Sequence, residues 1–179
     1  VATGATAVTT TPALDLTGQT GLATVIIDGT LGDVTLSGNT NLTTVTYSAI
    51  AEALEVTGAS DLTGLTLAGT AKSISVTSNS DLETLAITTE LNALKGNATA
   101  VSTSGSLVVT GNTDLVSIVS AYDPVKTMTI TGNTKLTSVD LTGTALVGAA
   151  TDKASVNISG NALNATKIVD KYAATEVGV

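Results

Sequence analysis

The segment Leu36-Ser37-Gly38-Asn39-Thr40-Asn41-Leu42-Thr43-Thr44-Val45 returns as Val109-Thr110-Gly111-Asn112-Thr113-Asp114-Leu115-Val116-Ser117-Ile118. It returns again as Ile130-Thr131-Gly132-Asn133-Thr134-Lys135-Leu136-Thr137-Ser138-Val139. A unit this short cannot bury its own apolar side chains, so a chain built from such units must stack them, and stacked short repeats make a solenoid. Counting on the glycine, Gly18, Gly38 and Gly58 are 20 apart and Ser78 follows after another 20. The next steps are 33 to Gly111, 21 to Gly132 and 28 to Gly160. The later units therefore carry extra residues, which the pattern places in loops at Thr88 to Ser104, Ser120 to Val125 and Val147 to Lys153.

Each unit holds two apolar groups with the alternation of a half-buried strand. The first group contains Leu14/Leu16, Val34/Leu36, Leu54/Val56, Ile74/Val76, Leu107/Val109, Met128/Ile130 and Val156/Ile158. The second contains Leu22/Val25/Ile27, Leu42/Val45/Tyr47, Leu62/Leu65/Leu67, Leu82/Leu85/Ile87, Leu115/Ile118 and Leu136/Val139/Leu141. Gly-Asn-Thr or a variant separates the groups, and a small turn such as Asp28-Gly29-Thr30 closes the unit. The pattern predicts a mostly β chain. Its fold is a parallel β-solenoid of about seven coils of 20 to 21 residues with two short strands per coil, each apolar column forming a stripe of one continuous core. Residues 1–12 read as a leader strand or cap, 13–161 as the repeat solenoid and 162–179 as a C-terminal cap or docking segment. In that last segment Leu163, Ile168, Val169 and Tyr172 recur at helix-like spacing within Asn164 to Ala174, which predicts a short helix-like element.

The repeated pattern Leu-x-Leu-x-x-Asn-x-x-Leu-x-x-Leu, carried by Leu14 to Val25, Val34 to Val45, Ile74 to Leu85, Leu107 to Ile118 and Met128 to Val139, resembles leucine-rich repeats. It is also similar to the L-domain solenoids of receptors and bacterial surface proteins. Twenty residues leave no room for the long helix of many leucine-rich repeats, so the resemblance implies a mostly β solenoid. For function it implies recognition of proteins, carbohydrates or further copies, on a secreted or cell-surface protein.

Two columns have mechanical readings. Where a coil turns, backbone N–H and C=O groups leave the sheet and still need partners, and a stacked carboxamide can supply both donor and acceptor. Asn39, Asn79, Asn112, Asn133 and Asn161 form that column and are expected to be a structural ladder, with Gln19 and Ala59 in the same place in two coils. The preceding Gly18, Gly38, Gly58, Gly111, Gly132 and Gly160 are expected in the left-handed region. The Thr/Ser column Thr17, Ser37, Thr57, Thr77, Thr110, Thr131 and Ser159 reads as a hydroxyl row on the sheet surface. Thr fills 36 of the 179 positions, and a β-branched hydrophilic residue suits outward strand sites.

Composition then excludes most chemistry. The chain has no His, Cys or Arg, which removes imidazole bases, thiolates, disulfides and thiolate zinc sites. Seven scattered Lys against a net charge of -8 do not neutralise phosphates, so nucleic acid is not expected as a partner. No apolar run reaches the 18 residues that suggest a membrane span. The acidic residues read as solvated turn acids. Asp15 and Glu55 share an outward column, and Asp61, Asp81 and Asp114 are the weak candidates for Ca2+. No enzyme activity and no cofactor are expected. The sequons at Asn41, Asn97, Asn157 and Asn164 arise readily in a Thr-rich chain, and only Asn97 lies in a long insertion. A chain that begins at Val1 without an initiator Met and is acidic, Thr/Gly/Ala-rich and repetitive is expected to be a processed extracellular or cell-surface protein.

Three functions fit. One is a structural or adhesive subunit that assembles with itself through the solenoid ends into a surface layer, sheath or filament. A second is a protein- or glycan-binding ectodomain, whose contact residue would be Tyr122 because the chain has no Trp, Phe or Arg to anchor a partner. The third is an ice-binding β-solenoid. Its Thr array, sought in the column Asp15, Thr35, Glu55, Ser75, Val108, Thr129 and Asn157, is interrupted by charges and Val, so no thermal hysteresis is expected of the purified domain.

Overall fold

In a computed structural model the described residues are 11–88, 105–121, 125–142, 144, 154–163, 165–168 and 175–178. Their elements are all strands. They are β1 Leu14–Asp15, β2 Thr24–Ile27, β3 Val34–Ser37, β4 Thr44–Tyr47, β5 Ile50–Thr57, β6 Gly64–Leu67, β7 Thr70–Thr77 and β8 Thr84–Ile87. There follow β9 Ser106–Thr110, β10 Ser117–Ser120, β11 Thr127–Thr131, β12 Ser138–Leu141, β13 Ala154–Asn157, β14 Ala165–Ile168 and β15 Thr175–Gly178. The odd strands make one eight-stranded sheet and the even strands a seven-stranded one. Every pairing is parallel. The chain is a parallel β-solenoid in which each coil gives one strand to each sheet. Among the described residues no helix is long and apolar enough to cross a membrane.

The pairing register matches the repeat. Leu54 lies beside Val34 and Ile74, Leu107 beside Ile74 and Met128, and Val156 beside Met128. In the second sheet Val25 pairs with Val45, Leu65 with Leu85, and Leu85 with Ile118, which pairs in turn with Val139. A parallel ladder joins equivalent residues, so one period of alternation repeated at one spacing puts every inward side chain on its counterpart. The result is a core of Val, Leu and Ile stripes running along the axis. Leu42, Leu62, Leu82, Leu115 and Leu136, one per turn, are wholly buried and join the two sheets at the bend.

One expectation is corrected at the C-terminal end. The helix-like spacing of Asn164 to Ala174 does not produce a helix over its described part: Ala165 to Ile168 forms β14 beside β12, with Leu141 opposite Ile168. Further on, β15 adds to β13. Isolated helices this short are marginal in water, whereas the edges of β12 and β13 offer a row of N–H and C=O groups that need partners. The predicted insertions at 88–104, 120–125 and 147–153 lie largely outside the described residues.

Among the described residues Tyr47 is the one large ring in this thin core. Its hydroxyl donates to the Thr70 carbonyl at 2.9 Å, which satisfies the polar tip of a buried ring. The chain closes tightly beside it, and a methyl at Gly69 would overlap the backbone nitrogen and carbonyl oxygen of Ala49. Burial pushes the Tyr47 phenol from 10.0 up to about 12. The folded state therefore keeps a proton that the unfolded chain releases. This contribution, about 2 to 3 kcal/mol by linkage, is present in full below pH 10 and is lost as pH rises through 12. Denaturation midpoints measured between pH 9 and 12 should fall in this window, and Tyr47→Phe should flatten the fall.

Leu82→Ala and Leu115→Ala should each destabilise the fold by about 2 to 5 kcal/mol, the range for a fully buried Leu whose cavity cannot collapse. Ile26→Ala, at an outward position that is 71% exposed, should change stability little. Chemical denaturation of the three variants checks this register directly.

Candidate functional site

The buried polar groups of the described residues centre on the bend between the two strands of each coil. Asn39, Asn79, Asn112 and Asn133 are fully buried there. The Oδ1 of Asn112 accepts from the Asn79 backbone N–H at 3.0 Å, and its Nδ2 donates to the Val76 carbonyl at 2.9 Å. Asn133 repeats this, accepting from Asn112 N–H at 3.0 Å and donating to Val109 at 3.0 Å. Asn161 accepts from Asn133 N–H at 3.1 Å and donates to Ile130 at 2.7 Å. Side chains also bond to one another along the stack, Asn79 to Asn112 at 3.1 Å and Asn112 to Asn133 at 3.2 Å. Because the oxygens of Asn79, Asn112, Asn133 and Asn161 each face a backbone N–H, the orientation of these four amides is determined by chemistry.

The residue before each Asn has to turn left-handed. Gly18, Gly38, Gly58, Gly111, Gly132 and Gly160 have φ between 65° and 70°, and Ser78 occupies the same column at φ 56°. A side chain in that region costs roughly 1 to 2 kcal/mol, so Ser78 marks the one bend in this series where the repeat carries strain.

The ladder lapses near its N-terminal end. Ala59 gives its N–H to Asn79 Oδ1 at 2.9 Å but has no amide to continue the row. Asn39 donates to Leu16 at 2.7 Å and Gln19 at 3.3 Å, while its Oδ1 is buried with no partner. In coils with an intact ladder that oxygen receives the N–H of the coil before. Here the Gln19 N–H goes to the Leu16 carbonyl at 3.4 Å instead, and Gln19 itself is exposed.

The described acidic residues sit at turns and at outward strand positions. Asp61 and Asp81 are exposed, and Asp114 pairs with Lys135 at 2.8 Å. That carboxylate raises the Lys135 pKa through its hydrogen bond and charge. Among the described residues no three His, Cys, Asp or Glu side chains converge as a metal site. Asp15 accepts from the Thr17 hydroxyl at 2.6 Å and N–H at 2.9 Å, which lowers its pKa. Glu55 is separated from it by Thr35 in the same column, and Glu52 pairs with Lys72 on that sheet. Tyr122 and Asn97 lie outside the described residues.

The outer face of the second sheet is not singled out by the sequence pattern. Its columns read Thr24, Thr44, Gly64, Thr84, Ser117, Ser138 and Ile26, Thr46, Thr66, Ala86, Val119, Asp140. The exposed large hydrophobic residues Ile26, Val116 and Val119 all belong to this side of the coil, at 71%, 45% and 54% exposure. Inward alternation hid this face, since the residues between the apolar positions looked like generic solvated Thr. Comparison with protein-family models, with curated proteins and with solved structures finds no match for the chain.

Asn112→Ala should cost roughly 1 to 3 kcal/mol, because it strips partners from the buried Asn79 N–H and the Val76 carbonyl at once. Asn97→Ala, in the long insertion, should cost little. Equal losses at the two sites in urea denaturation would contradict a ladder that holds the bends.

Proposed function

We propose that this chain is a non-catalytic structural or adhesive subunit of an extracellular assembly, joined to further copies through the ends of its solenoid. The observation that carries the reading is the state of the first coil. Among the described residues β1 and β2 each have a hydrogen-bonded neighbour on one side only. Leu14, Leu16 and Leu22 pack against the core yet stay half-buried. Capping repeats ordinarily present a polar outer surface, whereas an open coil presents unpaired strand groups and apolar side chains, which suits strand addition by a second copy.

Other features support the same reading. Without His or Cys, and with charged side chains at turns and in surface ion pairs, the chain has little with which to perform acid–base or nucleophilic chemistry. The likeness of the repeat to leucine-rich repeats and receptor L domains supports a secreted or cell-surface setting. A buried ladder and a continuous aliphatic core would give such a subunit the stiffness a layer or filament needs.

Sedimentation equilibrium over a wide concentration range tests this. Association should rise with concentration and change when residues 1–10 are deleted or when Val8→Lys places a charge in the segment before the first coil. A chain that stays monomeric throughout, with and without that segment, removes the assembly reading.

A further inference from the structure

We infer that copies join head to tail, with Gly4 to Ala7 of one copy forming the strand that closes the joint. The inference rests on the assembly reading above and specifies its geometry. Among the described residues the odd-numbered sheet holds eight strands and the even-numbered sheet seven, so β1 and β2 share the first coil whereas β15 stands one coil beyond β14. When β1 of a second copy is set beside β15, the odd sheet continues without a break. The even sheet does not, because β2 of that copy then lies two strand spacings from β14. One even strand is missing at the joint.

The repeat itself supplies that strand. Its 20-residue step already holds at the first described residues: the Gly32 N–H donates to the Pro12 carbonyl at 2.8 Å, and the Glu52 N–H to the Gly32 carbonyl at 3.1 Å. Twenty residues before β2 stands Gly4-Ala5-Thr6-Ala7. The step assigns Ala5 to the inward column of Val25 and Val45, and Ala7 to that of Ile27 and Tyr47. The segment has no charge and no Pro to oppose pairing on both edges. A strand there has β2 of its own copy on one side and β14 of the preceding copy on the other. Polarity follows from the ladders. The free sides of β1 and β15 carry complementary halves of one parallel ladder. Carrying the register through puts Leu14 of one copy beside Val177 of the preceding copy, and Asp15 beside its Gly178. Like ends could pair only with strands antiparallel, and the stacking of equivalent residues would stop at the contact. A head-to-tail contact does not close on itself, so it builds a filament, with an axial repeat of eight strand spacings, about 38 Å.

Because the chain has no Cys, cross-linking between introduced thiols reads the joint directly. Full-length Asp15→Cys and Gly178→Cys chains, one of them isotope-labelled, are mixed and treated with a short bismaleimide at a concentration where sedimentation shows the parent chain to associate. Denaturation midpoints confirm that both variants fold. Mass spectrometry should find the mixed dimer at least tenfold over either homodimer, and deletion of residues 1–10 from the Asp15→Cys chain should lower it tenfold or more. Homodimers of Asp15→Cys in equal or greater amount overturn the head-to-tail polarity. Undiminished mixed dimer after the deletion overturns the role of Gly4 to Ala7. Either result leaves association through the ends standing. A parent chain that stays monomeric in sedimentation instead removes the assembly reading and this inference with it, so the two failures are distinguishable.

Discussion

Pairing the backbone groups at the bends is the constraint on which this fold depends. A two-strand coil reverses direction over a few residues, and the N–H and C=O groups there leave both sheets. Left unpaired inside the protein, each would cost about 1 to 3 kcal/mol. The Asn side chains bridge this gap by accepting a hydrogen bond from the N–H of the coil before and donating one to a carbonyl near the end of an earlier strand. Such a bridge works only if successive bends superpose. It therefore demands a left-handed residue before each Asn, and it sets the phase in which strands on both sides can pair.

Strand register follows from that phase, and core composition follows from register. Equivalent residues stack, so a side chain too large for one coil is too large for its neighbours also. Val, Leu and Ile fill nearly every inward position. Tyr47 is accommodated because its ring runs toward the turn where Thr70 supplies an acceptor. Near the same turn, Gly69 leaves space for the Ala49 backbone. Where the ladder falters, at Gln19, Asn39 and Ala59, the sheets continue without interruption. Parallel strand pairing and the Leu at each bend carry the stack across the gap, while the orphaned Asn39 oxygen records the missing partner.

A solenoid separates its surfaces by geometry. Its ends present strand edges and its sides present alternating outward residues, so the two kinds of surface can be assigned different roles without competing for the same groups. The first coil supports the proposed assembly. The even-strand face mixes hydroxyls with Gly64, Ile26, Ala86, Val119 and Asp140 in its outward columns. The odd-strand face carries Asp15, Glu55 and the Glu52–Lys72 pair, and resembles an ordinary solvated sheet.

By itself the sequence determined the two-strand coil, the parallel stack and the members of each inward column, because a short repeat with alternating apolar residues can bury itself in one way only. Gly18 through Gly160 were readable as left-handed positions for the same local reason. The tertiary structure alone decided which groups each Asn amide would join, since those partners lie 20 to 36 residues away. It also turned Ala165 to Ile168 from a helix-like pattern into a strand, because an open sheet edge outweighs the weak preference of a short segment. The outward face was decided there too. Thr46 and Thr66 are unremarkable in sequence, and only the stacking of coils makes them neighbours.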